Sequence, residues 1–251
     1  MPKFFVLPEK VFDNKIVIDT EDVSHITRVL RLGVGDALSV CDSLGFDYEA
    51  EISEIQDKTI ILDIVSKKKS DSESDISITL YQGLPKASKM DYIIQKNTEL
   101  GINKIVPVVM DRCVVKLENK KAEEKKVMRW RKIAEEAAKQ SGRGIIPEVA
   151  MPVSLAEAAE EMKKADISFV PYECEEDGCL RTVLIDNKSP KTVSFLIGPE
   201  GGFSTAEISK LKSYGIKTVT LGKRILRTET AGMAVTAIVM YEIGDINGYS
   251  R

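Results

Sequence analysis

The chain carries one histidine, one tryptophan and four cysteines in 251 residues. A single histidine excludes any site that needs two. Cys41, Cys113, Cys174 and Cys179 form no C-x-x-C pair. They therefore predict neither a zinc centre nor a disulfide framework, but free thiols in a reducing, cytoplasmic setting, with no metal. No apolar run approaches the ~20 residues that cross a bilayer. The segment Met1–Lys10 is too short in apolar residues for a signal peptide, so no membrane partner is expected. Neither charge sign dominates: 36 Lys+Arg against 39 Asp+Glu leave −3. That excludes a uniformly basic nucleic-acid binder and leaves room for a local basic groove. With 16 Gly and 9 Pro, collagenous, mucin-like and wholly disordered chains are excluded as well.

Two kinds of patterning are present. Short runs at Phe4–Leu7, Lys15–Ile18, Ala37–Cys41, Tyr48–Ile52 and Thr59–Val65 read as strands, with turns at Gly33, Gly35, Gly45 and Asp57-Lys58. One helix interrupts them, capped by Thr20, with Val23, Ile26, Val29 and Leu30 on a face, and closed by Gly33. This predicts a small antiparallel β-barrel. Residues 67–76 are charged and serine-rich and read as a linker. Beyond them strands at Ile78–Gln82, Ile105–Val109, Ile167–Val170, Thr192–Ile197 and Lys217–Leu221 alternate with helices. The helices open at Ser88, run over 120–140, and open again at Ser154, Ser204 and about Thr230; Val127, Trp130, Ile133, Ala134 and Ala137 face inward on the second. Alternation of this kind predicts an α/β domain with a parallel sheet covered on both faces, and ligands at the carboxyl ends of the strands. The expected domains are 1–70 and 71–251.

Two strand-to-helix loops concentrate the chemistry. Gly198-Pro199-Glu200-Gly201-Gly202-Phe203 precedes a helix specified by the Ser204/Glu207 capping box. Its glycines let the backbone approach a ligand closely. A phosphate is disfavoured, because the loop lacks a P-loop Lys-Ser/Thr and a G-x-G-x-x-G order, and carries Glu200. A cationic or neutral ligand and a tight structural turn both remain open. The second loop, Leu221 to Gly232, leads into the apolar helix Met233–Tyr241, which must be buried. Arg224 and Arg227 offer forked donors, and Ile225 with Leu226 could sandwich a flat ring.

Ile197–Ser204 followed by Leu221-Gly222-x-Arg224-Ile225-Leu226-Arg227-Thr228-Glu229-Thr230-Ala231 resembles the paired signature of the SPOUT methyltransferases. More narrowly, it is similar to the group that methylates uridine N3 near the 3′ end of 16S rRNA. Three further segments carry the narrower likeness: Lys89-Met90 with Gln95–Gly101 running on to Arg112–Val115, Glu136–Arg143 with Pro147, and His25 with Val29-Leu30-Arg31 and Gly35-Asp36. The resemblance implies a PUA-like RNA-binding barrel, then a SPOUT α/β domain with a C-terminal trefoil knot, acting as a homodimer on S-adenosylmethionine and 16S rRNA. It implies cofactor contacts at Ile197, Gly198, Glu200, Gly201, Gly202, Leu221, Gly222, Ile225, Leu226 and Thr228. The place of Arg227 and Glu229 in the second loop makes them the candidate electrostatic stabiliser and general base. Glu200 either opposes a sulfonium or fixes its own loop. RNA contacts are expected at Arg28, Arg31, Lys89, Arg112, Arg143 and Arg224, ahead of the basic helix around Lys120–Lys132, whose glutamates interleave. His25 is expected to pack or cap, and Trp130 to be buried. The competing functions are SPOUT chemistry on tRNA (ribose 2′-O or guanine N1) and a non-catalytic RNA-binding adaptor.

Overall fold

In the computed structural model, which describes residues 3–114, 120–246 and 248, the amino-terminal elements are β1 (Lys3–Phe5), β2 (Lys15–Ile18), α1 (Asp22–Ser24), β3 (Ala37–Cys41), β4 (Phe46–Gln56) and β5 (Thr59–Lys69). Val115, quoted above, lies outside the described residues. The strands form a sheet in the order β1-β3-β4-β5-β2. Three of its ladders are antiparallel, and β1 joins β3 in parallel. Period-two alternation sends Ile16, Ile18, Leu38, Val40, Ala50, Ile52, Ile60 and Leu62 into one core.

Two expectations fail here for physical reasons. The predicted helix after Thr20 is only α1, followed by a wider turn over His25–Val29 in which the Leu30 N–H reaches back to the His25 carbonyl, 3.0 Å away. Val23 and Ile26 stay buried, but the extra residue in the turn swings Val29 out to 66% exposure. His25 is exposed, its ring tilted against Phe4 at 6.0 Å. The predicted linker is also structured. Lys67–Lys69 continue β5 opposite Tyr48, Asp47 and Phe46, and Ser70 is buried and donates to Asp47 at 2.9 Å. Glu73 takes a bidentate pair from Arg143 (3.2 and 2.6 Å) and the backbone N–H groups of Gly144 and Ile145 (2.7 and 3.1 Å). Residues 138–146 therefore complete this first unit together with residues 1–73. Arg143, expected to meet RNA, has a side chain only 4% exposed; its charge is spent inside the unit, not offered to solvent.

The second unit holds β6 (Ser77–Gly83), α2 (Lys89–Glu99), β7 (Lys104–Val109), most of α3 (Lys120–Ser141), β8 (Glu148–Val149), β9 (Val153–Ser154), α4 (Leu155–Met162), β10 (Ile167–Pro171), α5 (Leu180–Ile185), β11 (Thr192–Ile197), α6 (Thr205–Ser213), β12 (Lys217–Val219) and α7 (Thr228–Glu242). The sheet runs β12-β10-β11-β6-β7-β8, parallel throughout, with β9 also beside β7. Successive residues feed opposite faces. Leu80, Ile105, Phe169 and Phe195 enter the core under α2, α3 and α7, while Tyr81, Val106, Val170 and Leu196 enter the one under α4 and α6. Trp130 is buried in the first of these cores. Among the described residues no helix is long and apolar enough to cross a membrane.

Helix α7, expected to be buried, is buried on one face only, with Ile238 and Tyr241 exposed on the other; Gly232, on the buried face, is open to a methyl group. A Cβ there would meet Asn97, Leu80 and Gln82 at 3.6–3.8 Å, which is ordinary contact. Gly232→Ala is expected to stabilise the protein by about 0.5–1 kcal/mol, read from urea denaturation midpoints, because a helical glycine loses the most backbone entropy on folding.

Candidate active site

The sheet order decides which loops meet. Because β10 lies between β11 and β12, three loops converge at the carboxyl edge: those after β11, after β10 and after β12. The first is held at both ends. The Ser204/Glu207 box closes reciprocally at 2.8 and 3.2 Å. Glu207 also accepts the Asp111 N–H (2.9 Å), and the Ser204 hydroxyl donates to the Asp111 carboxylate (2.9 Å). Gly202 adopts φ +65°, the left-handed region that suits glycine, in a turn closed from its N–H to the Pro199 carbonyl at 2.9 Å. Arg112 donates to the Gly201 carbonyl at 2.9 Å. Glu200 is bound by the Lys86 N–H (3.1 Å) and by Lys89 (3.0 Å). Burial pushes its carboxyl up, but its own backbone N–H, Lys89 and the Lys86 N–H together hold it below the usual carboxylate range. These contacts tie Glu200 to Lys86 and Lys89, and the residue also lines the smaller of two clefts at this edge.

The loop after β12 is joined to the first. Thr228, the opening residue of α7, donates its hydroxyl to the Gly198 carbonyl at 2.7 Å and accepts from Gln82 at 2.9 Å. Arg227 is extended and exposed, with its carbonyl taking the N–H groups of Thr230 and Ala231. Lys89 lies between two carboxylates, 3.0 Å from Glu200 and 3.3 Å from Glu229, and both keep its amine protonated to higher pH. The buried Glu229 oxygen that faces Lys89 makes no directional hydrogen bond among the described residues.

Two adjoining clefts open between these loops. One of about 400 Å³ is lined by Ile197–Phe203, Ile225–Thr228 and Lys89; the other, about 570 Å³, by Thr220–Leu226 and the loop after β10. They share Pro171, Glu173, Ile225, Leu226 and Ala231. Every residue expected at the cofactor therefore lines a cleft, as do Arg227, Lys89 and Arg224. Glu229 does not; its carboxylate stands behind Lys89. Ile225 is 87% exposed at the rim. Arg28 and Arg31 are exposed on the first unit, Arg31 with φ +57°.

Sequence reasoning missed the third loop. Tyr172 donates its backbone N–H to Val219 (3.0 Å) and packs edge-on against Phe203 (6.3 Å, 84°). Glu175 caps the loop from within, taking the Thr218 hydroxyl and the Asp177 and Gly178 N–H groups, which hold its carboxyl below the usual range. Glu173 lines both clefts. The signal for this loop was its place after a buried strand, but that strand's neighbours cannot be read from the chain alone.

Comparison with known proteins agrees with this architecture. An RNA methyltransferase domain family matches residues 72–240, and an RNA methyltransferase PUA domain family matches residues 18–65. The chain is 36% identical over 235 residues to the ribosomal RNA small subunit methyltransferase E of Bacillus subtilis, covering 92% of this chain and 91% of the relative. The Aquifex aeolicus protein of the same name is 33% identical, at 90% and 94% coverage. Among solved structures, the Neisseria gonorrhoeae ribosomal RNA small subunit methyltransferase E bound to S-adenosyl methionine superposes with TM-score 0.83, 31% identity and 98% and 99% coverage. A Legionella pneumophila protein in complex with the same cofactor gives TM-score 0.82, 30% identity and 98% and 99% coverage. Two domain families in the same order and this likeness along nearly the whole length lead to one statement: the chain belongs to the ribosomal RNA small subunit methyltransferase E family, RNA methyltransferases that carry a PUA domain.

Proposed function

We propose that this protein transfers the methyl group of S-adenosylmethionine to N3 of a specific uridine near the 3′ end of 16S rRNA. The observation that carries the reading is the Thr228–Gly198 hydrogen bond, which ties the two signature loops around a pair of joined clefts. The residues present suit the cofactor. Glycine-loop amides and carbonyls offer edges for an adenine, Leu226 is apolar, and Glu173 puts a carboxylate where the clefts join, apt for a cationic ligand.

S-adenosylmethionine supplies a methyl activated on a sulfonium. The chain's own work is to hold the reacting groups in line, exclude water and manage one proton. Uracil N3 must lose its proton to become a nucleophile. Arg227, at the edge of the smaller cleft, stabilises the charge that develops on the pyrimidine. Glu229 lines neither cleft, so the N3 proton reaches its carboxylate by relay through Lys89, which lines the smaller cleft and stands 3.3 Å from it: the amine takes the N3 proton as it gives one of its own to Glu229. Glu229→Gln and Arg227→Ala are each expected to slow single-turnover methylation by about tenfold or more, while the Kd for S-adenosylmethionine moves less than about threefold. Full rates in both variants would remove both assignments.

The remaining parts of the reading follow the family. The expected division near residue 70 becomes a function for each unit: residues 1–73 with 138–146 act as the RNA-binding domain, and the second unit as the catalytic one. Exposed Arg28 and Arg31, with Lys89, Arg112 and Arg224, contact RNA. The carboxyl-terminal segment threads a knot: the chain leaves β11, pairs β12 on the far side of β10, and returns with Thr228 to Gly198. Two copies associate through the α/β domains, for which α7 offers Ile238 and Tyr241, 38% and 60% exposed on an apolar helix. A ribosomal substrate supports a cytoplasmic location. Nucleoside mass mapping of 16S rRNA from cells lacking the protein is expected to show one uridine without its N3 methyl. An unchanged map would point to another RNA or to an adaptor.

A further inference from the structure

Gln82 is fully buried in β6, a strand whose Leu80 and Tyr81 are core residues. Its Nε2 donates to the Gly83 carbonyl at 3.0 Å and to the Thr228 hydroxyl at 2.9 Å. Thr228 spends its own proton on the Gly198 carbonyl at 2.7 Å, so it can only accept from Gln82; the two acceptors fix which end of the amide carries nitrogen. One side chain thus connects the end of β6, the first residue of α7 and the first residue of the glycine loop. The other end of the amide behaves differently. Gln82 Oε1 is buried and has no hydrogen-bond partner among the described residues. It faces α7 near Gly232, where a Cβ would lie 3.8 Å away. A buried carbonyl left unpaired carries a desolvation penalty that an apolar side chain of the same length avoids. Conflicts of this kind between stability and residue choice collect at functional sites.

We propose that Gln82 is a positioning residue for the cofactor site: its amide holds Thr228, and through it the Gly198 loop, in one register, so that the clefts are preformed before ligand arrives. Gln82 lines neither cleft, so it acts through Thr228. The proposal rests on the S-adenosylmethionine reading above and adds to it the residue that couples the two loops.

The test is calorimetric titration of the full chain with S-adenosylmethionine, alongside thermal melts without ligand. Gln82→Met is expected to raise the Kd about tenfold, while the melting temperature stays within about 3 °C of the parent or rises, because the orphaned carbonyl is gone. Thr228→Val is expected to raise the Kd about tenfold too, and the double variant about tenfold, not a hundredfold, because the two side chains act as one unit. An unchanged Kd in Gln82→Met, an additive hundredfold in the double variant, or a weaker affinity that merely tracks a larger fall in melting temperature would overturn the proposal. Failure of the parent protein to bind S-adenosylmethionine would instead remove the reading beneath it.

Discussion

Gly83→Ala is expected to weaken S-adenosylmethionine binding by at least about a hundredfold, some 2.7 kcal/mol. A Cβ at position 83 would stand 2.6 Å from Pro199 Cδ, 2.7 Å from its backbone nitrogen and 2.9 Å from Met110 Sδ. The methionine can turn aside, but the Pro199 backbone cannot move without carrying the Gly198–Phe203 loop with it. Pro199 lines the smaller cleft, and its neighbour Gly198 accepts the Thr228 hydrogen bond. The substitution therefore acts on the cofactor site through the chain path and not through a lost side chain. Calorimetry reads it directly. Wild-type affinity in Gly83→Ala would show that the loop can shift without loss of the cleft.

Glu73→Ala is expected to destabilise the first unit by about 3–5 kcal/mol, the range for stranding one member of a buried ion pair. The two side chains are 6% and 4% exposed, and the carboxylate also receives the Gly144 and Ile145 N–H groups. Its removal leaves a buried guanidinium and two backbone donors without that acceptor. Replacing both residues, as in Glu73→Leu with Arg143→Met, is expected to recover much of the loss, since neither member of the pair is then left without the other. Denaturant unfolding of the three proteins decides the matter; equal stabilities for the single and double variants would argue against it.

Much of the α/β unit was legible because its buried strands are short apolar runs and its helices carry periodic faces, as at Val127, Trp130, Ala134 and Ala137, all buried. The helix starts expected at Ser154 and Ser204 are both reproduced, and in the structure each is closed by a capping box. Helix α7 begins at Thr228, two residues before the predicted start. What escaped shares one cause: partners distant along the chain. The Glu73 that buries Arg143 lies 70 residues upstream of it, so the arginine reads as a surface cation. The charged stretch 67–76 looks solvated because the second half of β5 is exposed, yet its Ser70 and the nearby Glu73 are inside. Helix α5 has only six residues, too few to show a period. The glycine loop and the arginine loop were found from their own residues, whereas the β10 loop owes its place to pairing with β11 and β12. Gln82 left a signal that went unread: an amide side chain at the end of an otherwise apolar buried strand.

The first unit is discontinuous, and this orders events during synthesis. Its sheet ends at Lys69, but Gly144 O receives the Gly45 N–H at 3.1 Å and the Cys41 thiol at 3.0 Å, and Ala138 packs with Phe5 and Cys41. Those groups are translated only after β6, α2, β7 and most of α3 have been made. As the nascent polypeptide leaves the ribosome, the Cys41 end of the amino-terminal sheet and Glu73 stay uncovered until residue 146 has emerged. A gene fragment that stops at residue 73 would encode strands without their keystone.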